Sequence, residues 1–226
     1  MTESYKIAQY NIFTSTLPYS NKVTYLIVPE GLESDIVKWS DEAAGRHNTN
    51  IVILSGLNWN DNLTPWPAEG VFKKAKPFGG KASMFLETLT EKLIPEIENR
   101  IKLNDPERTI GGISLSGLFA IWTLFKSKGF KNVISISGSL WYDDFVQWTN
   151  TEKPIEEYKR VFITLGDREK NSKNARMAIV EDATEKVYRN IARTITDTKY
   201  CLFEGTHFTP VLDNLEKAFI YIYRNI

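Results

Sequence analysis

Two kinds of residue that carry much of protein chemistry are scarce in this chain, and its charge is balanced. It has one cysteine, two histidines and no surplus of charge, with Lys plus Arg and Asp plus Glu both at 28 among 226 residues. A single cysteine excludes a disulfide within the chain, and Cys201 lies in the apolar-flanked run Lys199 to Phe203, which suits a buried strand position better than reactivity. His47 and His207 are far apart, so no group of residues has metal-ligand spacing, and Asp143-Asp144 alone does not make one. No metal or other cofactor is expected. Balanced charge also excludes the concentrated positive field that a nucleic-acid binder needs. No apolar stretch approaches the length that spans a membrane, and Met1 to Lys6 is not a basic segment leading into an apolar one. The expectation is a soluble cytoplasmic protein without nucleic-acid or membrane partners; its oligomeric state is not legible.

What is present is an ordinary globular composition, 42% hydrophobic and 25% charged, with no repeat, linker or low-complexity segment. One domain over residues 1–226 is expected. Tyr5 to Phe13 and Lys22 to Val28 are rich in β-branched and aromatic residues around the turn-like Leu17 to Asn21, and read as an opening antiparallel pair. Asp35 to Ala44 has the spacing of a short amphipathic helix closed by Gly45. Asn50 to Ser55 is a continuous apolar run, typical of a parallel strand covered on both faces. From Gly56 to Gly80 the pattern dissolves into a long loop carrying Trp59 and Trp66, and long loops in compact domains are usually functional. Phe85, Leu89, Leu93 and Ile97 then mark a helix that Pro95 should kink or split. Strands at Arg108–Ile113, Lys131–Ile136, Arg160–Leu165 and Ile195–Phe203 alternate with helices, the last of which is expected to start near Thr209 and Pro210. This alternation predicts an α/β fold: a mostly parallel central sheet with antiparallel N-terminal strands and helices on both faces. Ligands of such sheets bind outside the carboxyl ends of the strands.

One serine stands at such an end. Gly112-Ile-Ser114-Leu-Ser116 places it between small residues, where an apolar strand turns into an apolar helix. This is a G-x-S-x-S form of the G-x-S-x-G nucleophile elbow, a turn so tight that the residues two before and two after the serine nearly touch. Gly111 to Gly117 is glycine-rich but lacks the Lys-Ser/Thr of a phosphate-binding loop and the spacing of a dinucleotide fingerprint. A nucleophilic serine needs a base. His207, in the loop between the last strand and the last helix, is well placed for it, whereas His47 falls at the amino end of the sheet and reads as a surface histidine without a role. An acid is expected after the strand ending at Leu165, where Gly166-Asp-Arg-Glu169 offers two carboxylates. Glu169 is preferred and Asp167 is the alternative. An oxyanion hole needs two backbone N–H groups: that of Leu115 after the serine, and one from the loop after the Ile51 strand, from Leu57 or Asn58.

The chain resembles the esterase D-like family of α/β-hydrolases, and is nearest in motif to siderophore esterases and S-formylglutathione hydrolases. The resemblance rests on four segments in the expected order: Gly112 to Trp122 at the elbow, Ser137-Gly-Ser-Leu-Trp-Tyr-Asp-Asp144 after the next strand, Leu54-Ser-Gly-Leu57, and Gly205-Thr-His-Phe208. It implies that Ser114 is the nucleophile, His207 the base and Leu57 an oxyanion-hole donor. Two departures stand out: Ser116 replaces the second elbow glycine, and the acid is ambiguous, so that a Ser-His dyad stays open. The expected function is a serine esterase that hydrolyses small or medium carboxylic esters, such as siderophore-type lactones, acetyl esters or thioesters, through an acyl-enzyme. The segment Gly138 to Lys159 is too short for a large lid, which leaves an accessible cleft with Trp59, Trp66 and Trp141 as substrate-contact candidates. These tryptophans suit equally the task of anchoring loops on the core. An acyltransferase with the same triad and a non-catalytic ligand-binding module of the same fold are the alternatives.

Overall fold

The computed structural model describes residues 2–207 and 210–224. In chain order the strands are β1 (Thr2–Ile7), β2 (Tyr10–Ser15), β3 (Lys22–Ile27), β4 (Asn50–Ser55), β5 (Pro67–Ala68), β6 (Phe78–Gly79), β7 (Glu107–Ile113), β8 (Asn132–Ile136), β9 (Arg160–Gly166) and β10 (Thr198–Phe203). The helices are α1 (Glu33–His47), α2 (Trp59–Asn62), α3 (Ala82–Thr88), α4 (Ile94–Arg100), α5 (Leu115–Thr123), α6 (Phe145–Thr151), α7 (Ala175–Ala178), α8 (Val180–Ala192) and α9 (Val211–Tyr223).

Eight strands form one sheet in the order β1-β2-β4-β3-β7-β8-β9-β10. From β4 to β10 neighbours are parallel, and only β2 runs the other way, antiparallel to both β1 and β4. Both faces are covered, as the continuous apolar strands require. Along β4, Val52 and Leu54 enter a core beneath α3, α4, α5 and α8, whereas Ile51 and Ile53 enter a second core beneath α1 and α9. The same alternation in β9 sends Val161, Ile163 and Leu165 to the first core and Phe162 to the second.

Several local expectations differ from the structure. Residues 5–13 are not one strand. Ala8, in the left-handed region at φ 51, turns the chain so that β1 and β2 make a hairpin, and β2 pairs with β4. The second segment, β3, lies parallel between β4 and β7, so the two expected partners never touch. Helix α1 runs straight through Gly45, which is exposed, and ends at Asn48 in the left-handed conformation that asparagine tolerates. The helix carrying Pro95 is neither broken nor regular: residues Leu89–Leu93 form a wider turn in which the Ile94 amide bonds to the Leu89 carbonyl, five residues back. That turn takes up the missing proline donor and the ring's crowding of the preceding turn. Edge strand β10 leaves Cys201 half-buried rather than fully covered. The expected start of the last helix at Thr209 lies outside the described residues; the described helix follows Pro210.

His47 is also less exposed than its position suggested. Its Nε2 lies 2.8 Å from Glu216 Oε1, and its side chain is 9% exposed. Glu216 also accepts from Trp39 Nε1 and Arg46, so it ties the end of α1 to α9. Burial alone would raise the Glu216 carboxyl, but the hydrogen bonds from Arg46, Trp39 and His47 outweigh it and hold the group down at about 2.

Candidate active site

Two serines at the carboxyl end of the sheet, Ser114 and Ser137, have positive φ. Ser114, between β7 and α5, has φ 63 and ψ −123, a conformation that costs a non-glycine residue roughly 1–3 kcal/mol. The surroundings over-determine it. The Ser114 amide donates to Ile136 O (3.1 Å), and its carbonyl accepts from Leu118 N (3.1 Å) and Ser139 N (3.0 Å). A Cβ built on Gly112 would lie 2.4–2.5 Å from the carbonyl and hydroxyl atoms of Ser116, so the two ends of the elbow meet and glycine is required.

Ser116 has its own task. Its hydroxyl accepts from Ile113 N at 2.7 Å and donates to Ile27 O at 2.6 Å, with Ile113 O at 2.8 Å as the other acceptor in reach. It thereby joins the ends of β7 and β3 just past their last paired residues, Ile27 and Gly112. A glycine there would leave these fully buried backbone groups without that partner.

Glu169 and His207 are brought together. The acid lies in a short turn after β9, with its side chain 5% exposed, and its Oε2 is 2.8 Å from Nδ1 of His207, whose ring is 25% exposed. Glu169 Oε1 accepts from Gly166 N (2.8 Å) and from the Ser137 hydroxyl (2.7 Å). Asp167 points elsewhere: its side chain is 47% exposed, and its Oδ1 accepts from Gly205 N at 3.0 Å, which shapes the loop that carries His207. The two carboxylates of Gly166-Asp-Arg-Glu169 thus divide into one against the imidazole and one against the backbone.

Strands β7, β8, β9 and β10 are consecutive in the sheet, so the loops carrying Ser114, residues 137–139, Glu169 and His207 leave the same edge side by side. The loop after β8 joins them. Ser139 Oγ lies 3.4 Å from Ser114 Oγ, and Ser137 donates to Glu169. Of the expected oxyanion-hole donors, Leu115 opens α5, where helix geometry leaves the first N–H groups without a partner in the helix. Leu57 follows Gly56, which turns the chain after β4 at φ 78. The alternative, Asn58, is engaged: its amide donates to Asn62 Oδ1 at 3.0 Å.

The three tryptophans have different surroundings. Trp141 is buried and lines a cleft of about 240 Å³ together with Glu169, His207, Arg168, Met177 and Val180. Trp66 donates from Nε1 to Asp143 O at 3.0 Å and packs among Tyr142, Phe145 and Trp148, anchoring its loop on the core. Trp59 is half-buried against the same core. Arg176 was not legible in the sequence; it forms a fork with Asp143 (2.6 and 2.7 Å), bonds Glu69 O and stacks 5.5 Å from the Trp141 ring, which clamps three loops around the cleft. Ser137 and Ser139 lie within the Ser137–Asp144 segment that carries the resemblance, but their partners depend on strand order.

The matching protein-family model is described as "Putative esterase" and covers residues 33–211, well over half of the chain. The chain belongs to this esterase family. Over 158 residues it is 28% identical to the uncharacterized protein YbbA of Bacillus subtilis (strain 168), a match spanning 67% of this chain and 63% of that protein. Among solved structures, this esterase-family chain is similar to an IroE-like serine hydrolase from Shewanella oneidensis, with TM-score 0.76, 14% identity, and 99% and 79% of the two chains covered. It is similar also to the siderophore hydrolase EstA from Aspergillus nidulans, with TM-score 0.71, 17% identity, and 99% and 93% covered. These likenesses establish the α/β-hydrolase type of fold. Among the described residues no group of three or more metal-ligating side chains occurs, and no helix is long and apolar enough to cross a membrane.

A larger groove of about 630 Å³ opens at the opposite end of the sheet, lined by Lys22, Glu107, Arg108, Lys131 and Lys159 among others. Much of its positive charge is paired: Lys159 with Glu107 at 2.5 Å and Arg108 with Glu98 at 2.6 Å. The cleft at His207 is smaller and lies at the strained serine's end of the sheet, next to a second of about 600 Å³ that shares Trp141 with it.

Proposed function

We propose that this protein is a serine esterase that hydrolyses small or medium carboxylic esters through an acyl-enzyme. The observation that carries the reading is the 2.8 Å pair between Glu169 and His207 on the same sheet edge as the strained Ser114. In this reading Glu169 holds the proton on Nδ1 of His207, which keeps the Nε2 lone pair for the serine proton. Ser114 Oγ forms a bond to the ester carbonyl carbon while its proton passes to Nε2, and the carbonyl oxygen takes the negative charge under the N–H groups of Leu57 and Leu115. Collapse breaks the bond to the alkoxy oxygen, which leaves as the alcohol with the proton from His207. Water then attacks the acyl-enzyme with the same histidine as base, releasing the acid and restoring Ser114.

The substrate reading draws on the names of similar structures, a siderophore hydrolase among them, which puts siderophore-type lactones beside acetyl esters and thioesters. The cleft beside Trp141, about 240 Å³ and without a large lid, suits a compact acyl or alcohol group. The test is turnover of p-nitrophenyl acetate by wild type, Ser114→Ala and His207→Ala. Turnover by wild type and its loss in both variants is expected. A wild type without turnover, or variants that match it, would overturn the reading.

A further inference from the structure

Ser137 occupies a position where serine is an odd choice. It follows β8 in the left-handed region at φ 47, where glycine carries no side-chain strain, and the next residue, Gly138, is already glycine. The side chain is almost fully buried, at 2% exposure for the residue, and its hydroxyl donates to Glu169 Oε1 at 2.7 Å. Its backbone amide is engaged separately, donating to Thr164 O at 2.9 Å as the β8–β9 ladder ends. The backbone turn therefore does not account for the hydroxyl.

The partner carboxylate shows what the hydroxyl does. The Glu169 side chain is 5% exposed, so its charge must be satisfied by the protein rather than by water. Its two oxygens are used differently. Oε1 accepts from both Ser137 and the Gly166 amide, and Oε2 faces Nδ1 of His207. Gly166 is held close in turn, since a Cβ there would meet Gly205 O at 2.8 Å and Glu169 Oε1 at 3.1 Å. Two donors on one oxygen, arriving from β8 and from β9, fix the plane of the carboxylate and leave the other oxygen for the imidazole. With only the Gly166 donor, the side chain could pivot about that bond.

We propose that Ser137 is a positioning residue for the triad acid: through Glu169 it sets the orientation of His207. The inference rests on the esterase reading above. The discriminating variant is Ser137→Gly, which removes the hydroxyl and relieves the left-handed strain at once, so that a fall in activity is not traced to a damaged turn. We expect kcat for p-nitrophenyl acetate to fall roughly tenfold, the scale of a charge-assisted hydrogen bond lost in the reacting complex, with KM within twofold and Tm within a few degrees of wild type, because relief of the left-handed strain offsets part of the lost bond. In a Glu169→Ala background the same substitution should change the fluorophosphonate labelling rate by less than twofold, because the group it positions is gone. An active wild type with Ser137→Gly at full kcat, or with an effect that persists undiminished in Glu169→Ala, would overturn this inference alone. A wild type that neither turns over nor labels would overturn the esterase reading and this inference with it.

Discussion

Replacing Glu169 by glutamine removes a charge without removing the shape, and the structure dictates which way the amide must lie. At the Oε1 site stand the Gly166 N–H, which can only donate, and the Ser137 hydroxyl. The glutamine carbonyl is drawn to that site, which turns its NH2 group toward Nδ1 of His207. Nδ1 must then accept, so the ring proton moves to Nε2, the atom that has to take the serine proton in the proposed mechanism. A wrong tautomer of this kind costs about 10⁴ in kcat in the chymotrypsin-type triad. We expect Glu169→Gln to lose roughly 10³–10⁴, equivalent to about 4–5.5 kcal/mol of barrier. The hydrogen-bonding shape survives, so Tm should move by only a few degrees. Asp167→Asn is the control: its carbonyl still accepts from Gly205 N at an exposed site, so activity within about twofold of wild type is expected. The assay is steady-state turnover of p-nitrophenyl acetate across pH 6–9, with Tm measured on the same samples. If Glu169→Gln stays within threefold of wild type, or Asp167→Asn is the variant that loses activity, the tautomer argument is wrong.

Further predictions concern the elbow, an ion pair at the other end of the sheet and a loop anchor. Gly112→Ala places a Cβ 2.4–2.5 Å from backbone atoms of Ser116, which cannot rotate away, so fluorophosphonate labelling should slow more than a hundredfold and Tm should drop by several degrees. Glu216 is depressed to about 2 from 4.5, so its stabilising effect is complete above about pH 4.5 and fades as the pH falls toward 2. The unscreened shift corresponds to roughly 3 kcal/mol; with the side chain 30% exposed, Glu216→Gln should cost about 1–2 kcal/mol at pH 7 in urea unfolding and flatten the acid limb of the stability profile. Trp66→Phe removes the Nε1 bond to Asp143 O while keeping most ring packing, so Tm should fall by a few degrees with kcat nearly unchanged. A large fall in kcat without a change in Tm would instead place Trp66 in the substrate cleft.

What was legible in the sequence was local. The apolar runs at Asn50, Lys131 and Arg160 announce strands covered on both faces, because no exposed strand tolerates such continuity. The spacing around Ser114 announces the elbow, because only small side chains fit where Gly112 and Ser116 touch. Pairing was not legible. Nothing in residues 5–28 says that Ala8 will turn the chain and send β3 to the far side of β4. Two carboxylates on one short loop cannot be separated by composition either; they divide because Glu169 turns inward to meet Ser137 and Gly166, which arrive from two different strands. For the same reason His47 looks like an idle surface residue in the sequence, since its partner Glu216 is distant in sequence and close only through the packing of α1 on α9.

The central claim is that Ser114 is the nucleophile, and the most direct measurement is the mass of the protein after reaction with a fluorophosphonate, followed by peptide mapping. A single adduct is expected, on the peptide carrying Ser114, and none in Ser114→Ala. An adduct on another serine such as Ser139, 3.4 Å away, or continued labelling of Ser114→Ala, would contradict it.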